Sequence, residues 1–155
     1  MTSDATTAHF EARIAELEAA LARCTSEWTE TVNAMSDWVC IIDLDFRIVR
    51  TNRAVQTLLG MAPEEVVGRH CFEIVHGTDS HIANCPIPHM VRSLRRAQTE
   101  VRLDDGRWLS VTADPFTSRE DGRLTGAVHM VRDITALKQI QHQREALIRD
   151  LEQAL

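Results

Sequence analysis

Residues 41–60, IIDLDFRIVRTNRAVQTLLG, combine the periodicity of strands with that of a helix. The run WVCIID at 38–43 is apolar, FRIVR at 46–50 alternates apolar and polar side chains, and Asp-Leu-Asp joins the two. This pattern predicts an antiparallel β-hairpin, because alternation places one face of a strand against a core. The following RAVQTLLG predicts a short helix that Asn52 caps at its start and Gly60 ends.

Two more helices are predicted beyond this hairpin and helix. The stretch APEEVVG places a proline in a first helical turn, follows it with two glutamates and ends on glycine. Pro86 and Pro88 mark the start of the second helix, PHMVRSLRRA. Its inner side is predicted to hold Met90, Leu94 and Ala97.

The second half of the chain is typical of a strand meander. TEVRL, RWLSVTADPF and GRLTGAVHMVRD occupy residues 99–103, 107–116 and 122–133. Asp-Gly pairs at 105–106 and 121–122 supply tight turns between them. Two strands, several short helices and a three-strand meander predict an α+β fold, in which a five-stranded antiparallel sheet carries the short helices on one face.

The N-terminal segment repeats apolar residues at intervals of three and four. These residues are Phe10, Ile14, Leu17, Leu21, Cys24, Trp28 and Met35, with Thr31 completing the alternation. The spacing predicts a helix of about 25 residues and about 40 Å with an exposed apolar stripe. A dimeric coiled coil is the simplest way to cover it, and folding of the helix onto its own domain is the alternative.

A second helix is predicted at the C-terminal end. Asp133-Ile134-Thr135 offers a cap for ALKQIQHQREALIRDLEQAL. Its apolar residues at helical spacing are Ile134, Leu137, Ile148, Leu151 and Leu155. Gln141 and Arg144 interrupt that stripe, so we expect a weaker coiled coil here than at the N-terminus.

The composition excludes several functional classes. The 155-residue chain has a formal net charge of -6 and 44% hydrophobic residues, which suits a globular protein without a basic surface for nucleic acid. No run of about 18 apolar residues occurs, and the N-terminus lacks the pattern of a signal peptide, so we expect a cytoplasmic protein. Phosphate loops, nucleophile elbows, His-Glu-x-x-His and kinase motifs are absent from the sequence, so we expect no enzymatic activity.

Thiols and imidazoles are concentrated in residues 68–90, GRHCFEIVHGTDSHIANCPIPHM, which hold two of the four cysteines and four of the seven histidines. Cys71, His76, Cys85 and His89 follow at intervals of five, nine and four, and a zinc site needs four such donors. Cys71 and Cys85 are also candidates for a reversible disulfide that would staple the intervening loop. The alternative is a buried, inert Cys71 with solvated histidines.

Several stretches together resemble the PAS sensory-domain family over residues 34–135. IIDLDFRIVRTNRAVQTLLG is similar to the opening hairpin and first helix, PEEVVGRHCFEIV to the short helices before the ligand cleft, and GAVHMVRDIT to the closing strand with its terminal motif. CFEIVHGTDSHIANCP resembles a subset with Cys-aromatic-Glu, His-Gly and Cys-Pro. The family fold implies a five-stranded sheet that cups a cavity, with flanking helices that carry a signal to an effector.

The resemblance implies a sensory module of a bacterial signalling pathway such as a two-component system. We expect a dimerisation helix at 8–35, the PAS domain at 36–135 and a signalling helix at 136–155, with Asp133 and Thr135 relaying a ligand, metal or redox change. The expected partners are a second copy of the chain and a histidine kinase, cyclase or other effector, which this sequence does not itself contain. A scaffolding dimer without ligand is the alternative.

The resemblance also raises two cofactors. Haem-binding members carry an axial histidine close to the place of His89, with His81 as a second candidate. Flavin-binding members carry a cysteine where Cys71 stands, but His70, Phe72 and Val75 replace the polar residues that hold the flavin. We therefore consider zinc and haem as candidate cofactors and expect no flavin. His129, in the last strand, is predicted to be a packed or surface strand residue and not a ligand.

Overall fold

The computed structural model describes residues 2–154, which form two compact units, one ending at Met35 and one beginning at Ser36. The first unit is the helix α1 (Thr2–Asn33). Phe10, Ile14, Leu17 and Leu21 are each more than half exposed along it. The apolar stripe predicted from the heptad spacing is therefore present on a helix that starts earlier than expected.

The second unit is built on one antiparallel sheet. Its strands are β1 (Trp38–Ile42), β2 (Ile48–Thr51), β3 (Ala97–Arg102), β4 (Trp108–Thr117) and β5 (Leu124–Asp133). They lie in the order β2-β1-β5-β4-β3. This arrangement confirms the predicted α+β fold with a five-stranded sheet, and most strand bounds fall within two residues of those predicted.

Four short helices connect β2 to β3 and a long helix follows β5. They are α2 (Ala54–Leu59), α3 (Pro63–Val66), α4 (Cys71–His76), α5 (Pro86–Ser93) and α6 (Thr135–Ala154). The inner face of the sheet and the short helices share one core, since every second residue of β1 is buried against side chains such as Val55, Ile87 and Met90. The sheet and the short helices of this core enclose the site described below from two sides.

Asn52 does not cap α2 as predicted. The residue before the helix is Arg53, whose side chain makes no cap bond. Asn52 is only 1% exposed, and its amide oxygen accepts a hydrogen bond from the Val39 amide (3.0 Å) while Nδ2 donates to the Asp37 carbonyl (2.9 Å). A buried amide must satisfy both of its ends, and the start of β1 supplies both partners.

The predicted inner side of α5 is wrong at its C-terminal end. Leu94 lies just past the helix in the left-handed region, with φ 53°, and is 59% exposed. Its amide closes the helix on the Met90 carbonyl at 2.7 Å. The chain then turns so that Ala97 opens β3 instead of extending the helix.

Helix α6 carries an exposed apolar stripe that differs from the predicted one. Ile134 is buried before the helix begins, and Leu155 lies outside the described residues. The exposed apolar residues are Leu137, Ile140, Leu147, Ile148 and Leu151. Among residues 2–154, none of the helices has the length and apolarity needed to cross a membrane.

Candidate functional site

A small cavity lies between the inner face of the sheet and the segment from α4 to α5. Its volume is about 10 Å³, which is room for about one water molecule. It is lined by Cys71, Phe72, Val75, His76, Ile82, Cys85, Pro86, Ile87, Thr99, Val101, Val111 and His129. The residues 68–90 thus supply one wall, and the sheet supplies the other.

His129 and Cys40 form a buried pair beside this cavity. They are directly opposite each other on β5 and β1, with 3.7 Å between Cys40 Sγ and His129 Nδ1. Burial lowers the pKa of His129 to about 4, helped by the nearby His76 and His81. Burial also raises the pKa of the Cys40 thiol well above its usual range. Both groups are therefore neutral at pH 7, and the thiol can donate to Nδ1.

The structure brings Cys71 and Cys85 to the same cavity wall. Burial raises the pKa of Cys71 to about 12, and the neighbouring Cys85 contributes to the increase. Burial also raises the pKa of Cys85. All four cysteines are free. Since the thiolate is the nucleophile and the metal ligand, these two thiols are held in their unreactive form.

His81 fixes the loop between α4 and α5. Its ring is edge-on to Phe46 and Phe72, with centroids 4.4 and 5.1 Å away. Nδ1 lies 3.4 Å from Cys85 Sγ. Burial lowers the pKa of this imidazole, and His70 adds to the effect. Nε2 is buried and, among the described residues, has no hydrogen-bond partner, which is costly for a polar atom.

The four predicted metal donors do not all converge. His76 lines the cavity with Cys71 and Cys85, and burial lowers its pKa. His89 is exposed on α5 and lines a separate surface cleft beside Arg92. Within the part of the chain that the structure describes, no group of three or more His, Cys, Asp or Glu side chains is arranged to hold a metal ion.

The cavity also bears on the two cofactors considered above. Sites for cofactors occupy about 300–1,000 Å³, whereas this space is about 10 Å³. His81 is held between two phenylalanines and His89 faces solvent. Haem would therefore require α4 and α5 to separate from the sheet.

Sequence reasoning missed the part of the site that the sheet contributes. His129 is 3% exposed, and it shares the inner face of β5 with the buried Ala127 and Val131. The signal was present in the sequence, because strict alternation along GAVHMVRD places this imidazole between two apolar inward residues. A polar side chain at such a position needs a partner, and Cys40 provides it.

The end of β5 is connected to α6 and β4 by three hydrogen bonds. The Thr135 amide donates to Asp133 Oδ1 at 2.9 Å, and Thr135 Oγ1 accepts from the Trp108 amide at 2.9 Å. The Ile134 amide donates to the Trp108 carbonyl at 2.8 Å. Lys138 then lies 5.3 Å above the Trp108 ring centroid. The first turn of α6 is thereby fixed to the sheet.

Comparison with known proteins agrees with this architecture. A family model for the PAS fold matches residues 32–139, so the chain belongs to the PAS family, as the sequence motifs indicated. No curated protein matches it significantly.

Several solved structures share the fold. A PAS domain from Colwellia psychrerythraea has 23% identity over 73% of this chain and 98% of its own, with a TM-score of 0.59. A sensory box sensor histidine kinase from Vibrio cholerae has 18% identity over 77% and 98%, with a TM-score of 0.54. The LOV domain of a blue-light activated histidine kinase from Erythrobacter litoralis has 18% identity over 65% and 98%, with a TM-score of 0.52.

The burial of the thiols predicts their reactivity. Cys24 is exposed, whereas Cys71 and Cys85 are covered and have raised pKa values. In the folded chain carrying Leu17→Glu and Leu21→Glu, which keep α1 free of a partner helix, we expect Cys24 at pH 7.4 to react with iodoacetamide at least about a hundredfold faster than Cys71 or Cys85, because in those two both the thiolate fraction and access are reduced. Peptide mass spectrometry over time measures this ratio.

The Cys24→Ser variant should lose the fast phase, and urea should make all remaining thiols reactive. Equal rates for Cys24 and Cys71 in the folded chain would contradict the burial argument.

Proposed function

We propose that this protein is a non-enzymatic sensory module that binds a small uncharged molecule between the sheet and α4–α5, where the cavity of about 10 Å³ widens to admit it. The observation that carries the proposal is the position of His129. It lines the cavity, and it lies on the strand that ends at Asp133 and leads into α6. One strand therefore joins the candidate input site to the candidate output helix.

The chemistry of the wall favours an uncharged ligand. The neutral imidazoles of His129 and His76, the thiols of Cys71 and Cys85, and the Thr99 hydroxyl are the polar groups among an otherwise apolar lining. A charged ligand would lose its hydration there without gaining an opposite charge. A small neutral molecule can accept or donate a hydrogen bond at little desolvation cost.

Asp133 and Thr135 are proposed to relay the signal. Displacement of β5 by a bound molecule moves Ile134 and Thr135, which follow β5, relative to the Trp108 amide and carbonyl of β4 to which they bond. These bonds orient the first turn of α6, so their geometry determines the direction of the helix. A histidine kinase, cyclase or other effector is the proposed recipient.

The test compares the full chain with Val111→Ile, which adds one methylene group at the cavity wall. Native mass spectrometry, metal analysis and an absorption spectrum should reveal a bound molecule in the wild type and its loss from the variant. Hydrogen exchange in the first turn of α6 should change at the same time. Wild-type protein of bare polypeptide mass, with exchange identical in both proteins, would instead favour the scaffolding dimer.

Zinc and a thiol–disulfide change are the alternative inputs at the same wall, since Cys71 and Cys85 both line it. Zinc would displace the thiol protons and need further donors besides His76. Oxidation by hydrogen peroxide would join the two sulfurs, with both thiol protons and two electrons passing to the peroxide to give two waters. Cys71→Ser and Cys85→Ser should each abolish zinc uptake or the 2 Da mass loss of a disulfide.

Dimerisation through α1 is the second part of the proposal. Leu17 and Leu21 are exposed on the apolar stripe. Leu17→Glu combined with Leu21→Glu should turn a dimer into a monomer at about 10 µM, because four buried leucines become like charges. Sedimentation velocity measures the mass. Ala12→Glu with Ala19→Glu adds the same charge on the opposite face of the helix and should leave the dimer intact.

Cys24 reports the orientation of this dimer. It occupies a seam position of the heptad and is exposed within one chain. In a parallel, in-register pair the two Cys24 side chains face each other, so diamide should produce an interchain disulfide that Cys24→Ser abolishes. A monomeric wild-type chain would contradict the dimer, and failure to cross-link would contradict its parallel orientation.

A further inference from the structure

The sheet has one open edge. At its other edge, β2 is covered by the segment before α4, since the Gly68 amide donates to the Ile48 carbonyl (2.7 Å) and the Ile48 amide donates to the Arg69 carbonyl (2.9 Å). Strand β3 pairs with β4 on one side. In residues 2–154, no segment forms a backbone hydrogen bond with the outer side of β3.

The pairing of β3 with β4 determines which backbone groups point outward. The Trp108 amide and carbonyl are both engaged on the side of β5, with Thr135 and Ile134. Arg102, the residue opposite Trp108, therefore directs its own amide and carbonyl to the open edge. Because these directions alternate along a strand, Glu100 and Gln98 do the same. Three amides and three carbonyls are thus available to a further strand.

We propose that this edge pairs with β3 of a second copy of the chain, antiparallel, with Val101 opposite Val101 of the partner subunit. This register places Glu100 opposite Arg102 of the partner subunit, and the symmetry repeats the contact. Both residues belong to the outward-directed set, so the two strands exchange four backbone hydrogen bonds at the same positions.

The charges favour this register over the two neighbouring registers that also preserve the backbone bonds. Shifting the symmetry centre to Glu100 places two glutamates opposite each other, and shifting it to Arg102 places two arginines opposite each other. Directly opposed like charges destabilise a strand pair. Among the described residues, Arg102 has no ion-pair partner. Glu100 Oε2 lies 2.5 Å from Lys138 Nζ, which leaves the second oxygen for the arginine of the other copy.

The inner side of the same edge is apolar and partly open. Val101 and Leu103 line a surface groove of about 820 Å³, together with Val75 and Ile82 of the opposite wall. In the proposed register, Val101 meets its own counterpart and Leu103 meets Thr99 of the partner subunit. The pairing therefore covers apolar side chains that one chain leaves partly exposed, in addition to satisfying the backbone.

Exchanging the charges at positions 100 and 102 tests the pairing of the two β3 strands. All of these variants are made in the chain carrying Leu17→Glu and Leu21→Glu, so that association through α1 does not contribute to the measured dimerisation. Sedimentation equilibrium at concentrations up to about 1 mM suits a weak contact of this kind. Arg102→Glu should weaken dimerisation about tenfold, since two symmetric attractions become repulsions. Adding Glu100→Arg to Arg102→Glu should restore it to within about threefold of the starting protein. Arg119→Glu makes the same charge change in the turn between β4 and β5 and should have no effect.

Cross-linking provides a second readout. In a Cys24→Ser background, Val101→Cys places two thiols at the symmetry centre, where opposed Cβ atoms are about 4.5–5.5 Å apart, and diamide should link them. In Gln98→Cys the new thiol lies opposite Asp104 of the partner subunit, so diamide should not link the two copies. Lack of rescue by the double charge exchange, or equal linking at positions 98 and 101, would overturn the proposal. Either result leaves dimerisation through α1 unaffected.

Discussion

Lowering the pH from 7 to about 4 is expected to reduce the free energy of unfolding by about 3 kcal/mol through His129 alone. Its pKa is about 4 in the folded protein, against an ordinary value of 6.5. Above pH 6.5 the imidazole is neutral in both states and has no effect. Between pH 6.5 and about pH 4, His129 binds a proton in the unfolded chain but not in the folded chain, so the free energy of unfolding falls as the pH falls. Below that interval the contribution stays constant.

The measurement is urea unfolding at a series of pH values for the wild type and His129→Asn, which keeps a polar group but does not titrate. The variant should lose stability less steeply between pH 6.5 and 4. His76 and His81 also have lowered pKa values, and they act in the same direction in both proteins. His142→Asn, at an exposed position of α6, is the matched control. The same slope in wild type and His129→Asn would contradict the burial of a neutral imidazole.

Gly126→Ala is expected to cost about 3 kcal/mol, among the larger effects of a single methyl group. A Cβ atom at this position of β5 would lie 2.1 Å from the Ile42 carbonyl oxygen. That oxygen belongs to the backbone of the neighbouring strand, where Ile42 pairs with Ala127. It cannot rotate away as a side chain does, so the strands must separate locally.

Gly122→Ala is the matched control for this prediction. A Cβ there meets open space, but its φ of 70° lies in the left-handed region, so the cost should be about 1 kcal/mol. Thermal unfolding should accordingly show a decrease in Tm of about 6–12 °C for Gly126→Ala and a smaller one for Gly122→Ala. The reverse order would show that β1 yields easily to the new methyl group.

The sequence predicted those features that depend on nearby residues. Alternation and Asp-Gly turns located the five strands, because both signals act over a few residues. Asn52 failed as a cap because its actual partners, Val39 and Asp37, lie thirteen and fifteen residues earlier, in β1 and just before it. Such a contact exists only after β1 and β2 have paired.

For the candidate site too, contacts between nearby residues could be predicted and contacts between distant residues could not. Cys71 and Cys85 were predicted to approach each other through one short loop, and both line the cavity. His89 was expected to join them but faces solvent, since Ile87 and Met90 bury the opposite side of α5. Met90 was assigned correctly to the inner side of this helix, whereas Leu94 and Ala97 were not, because the helix ends at Ser93. Alternation along β5 indicates that His129 points inward, but its contact with Cys40 joins residues 89 positions apart, and no local pattern predicts that pairing.

Lys138 is a site for selective chemical labelling at the junction between the sheet and α6. It is the only lysine in the sequence, and its Nζ lies over the Trp108 ring. Reductive methylation with ¹³C-formaldehyde retains the positive charge and introduces side-chain methyl signals at this one position, apart from the α-amino group. The ring current of Trp108 shifts those signals according to their distance from the indole. A nuclear magnetic resonance spectrum of two peaks would therefore follow the movement of α6 relative to β4 in solution.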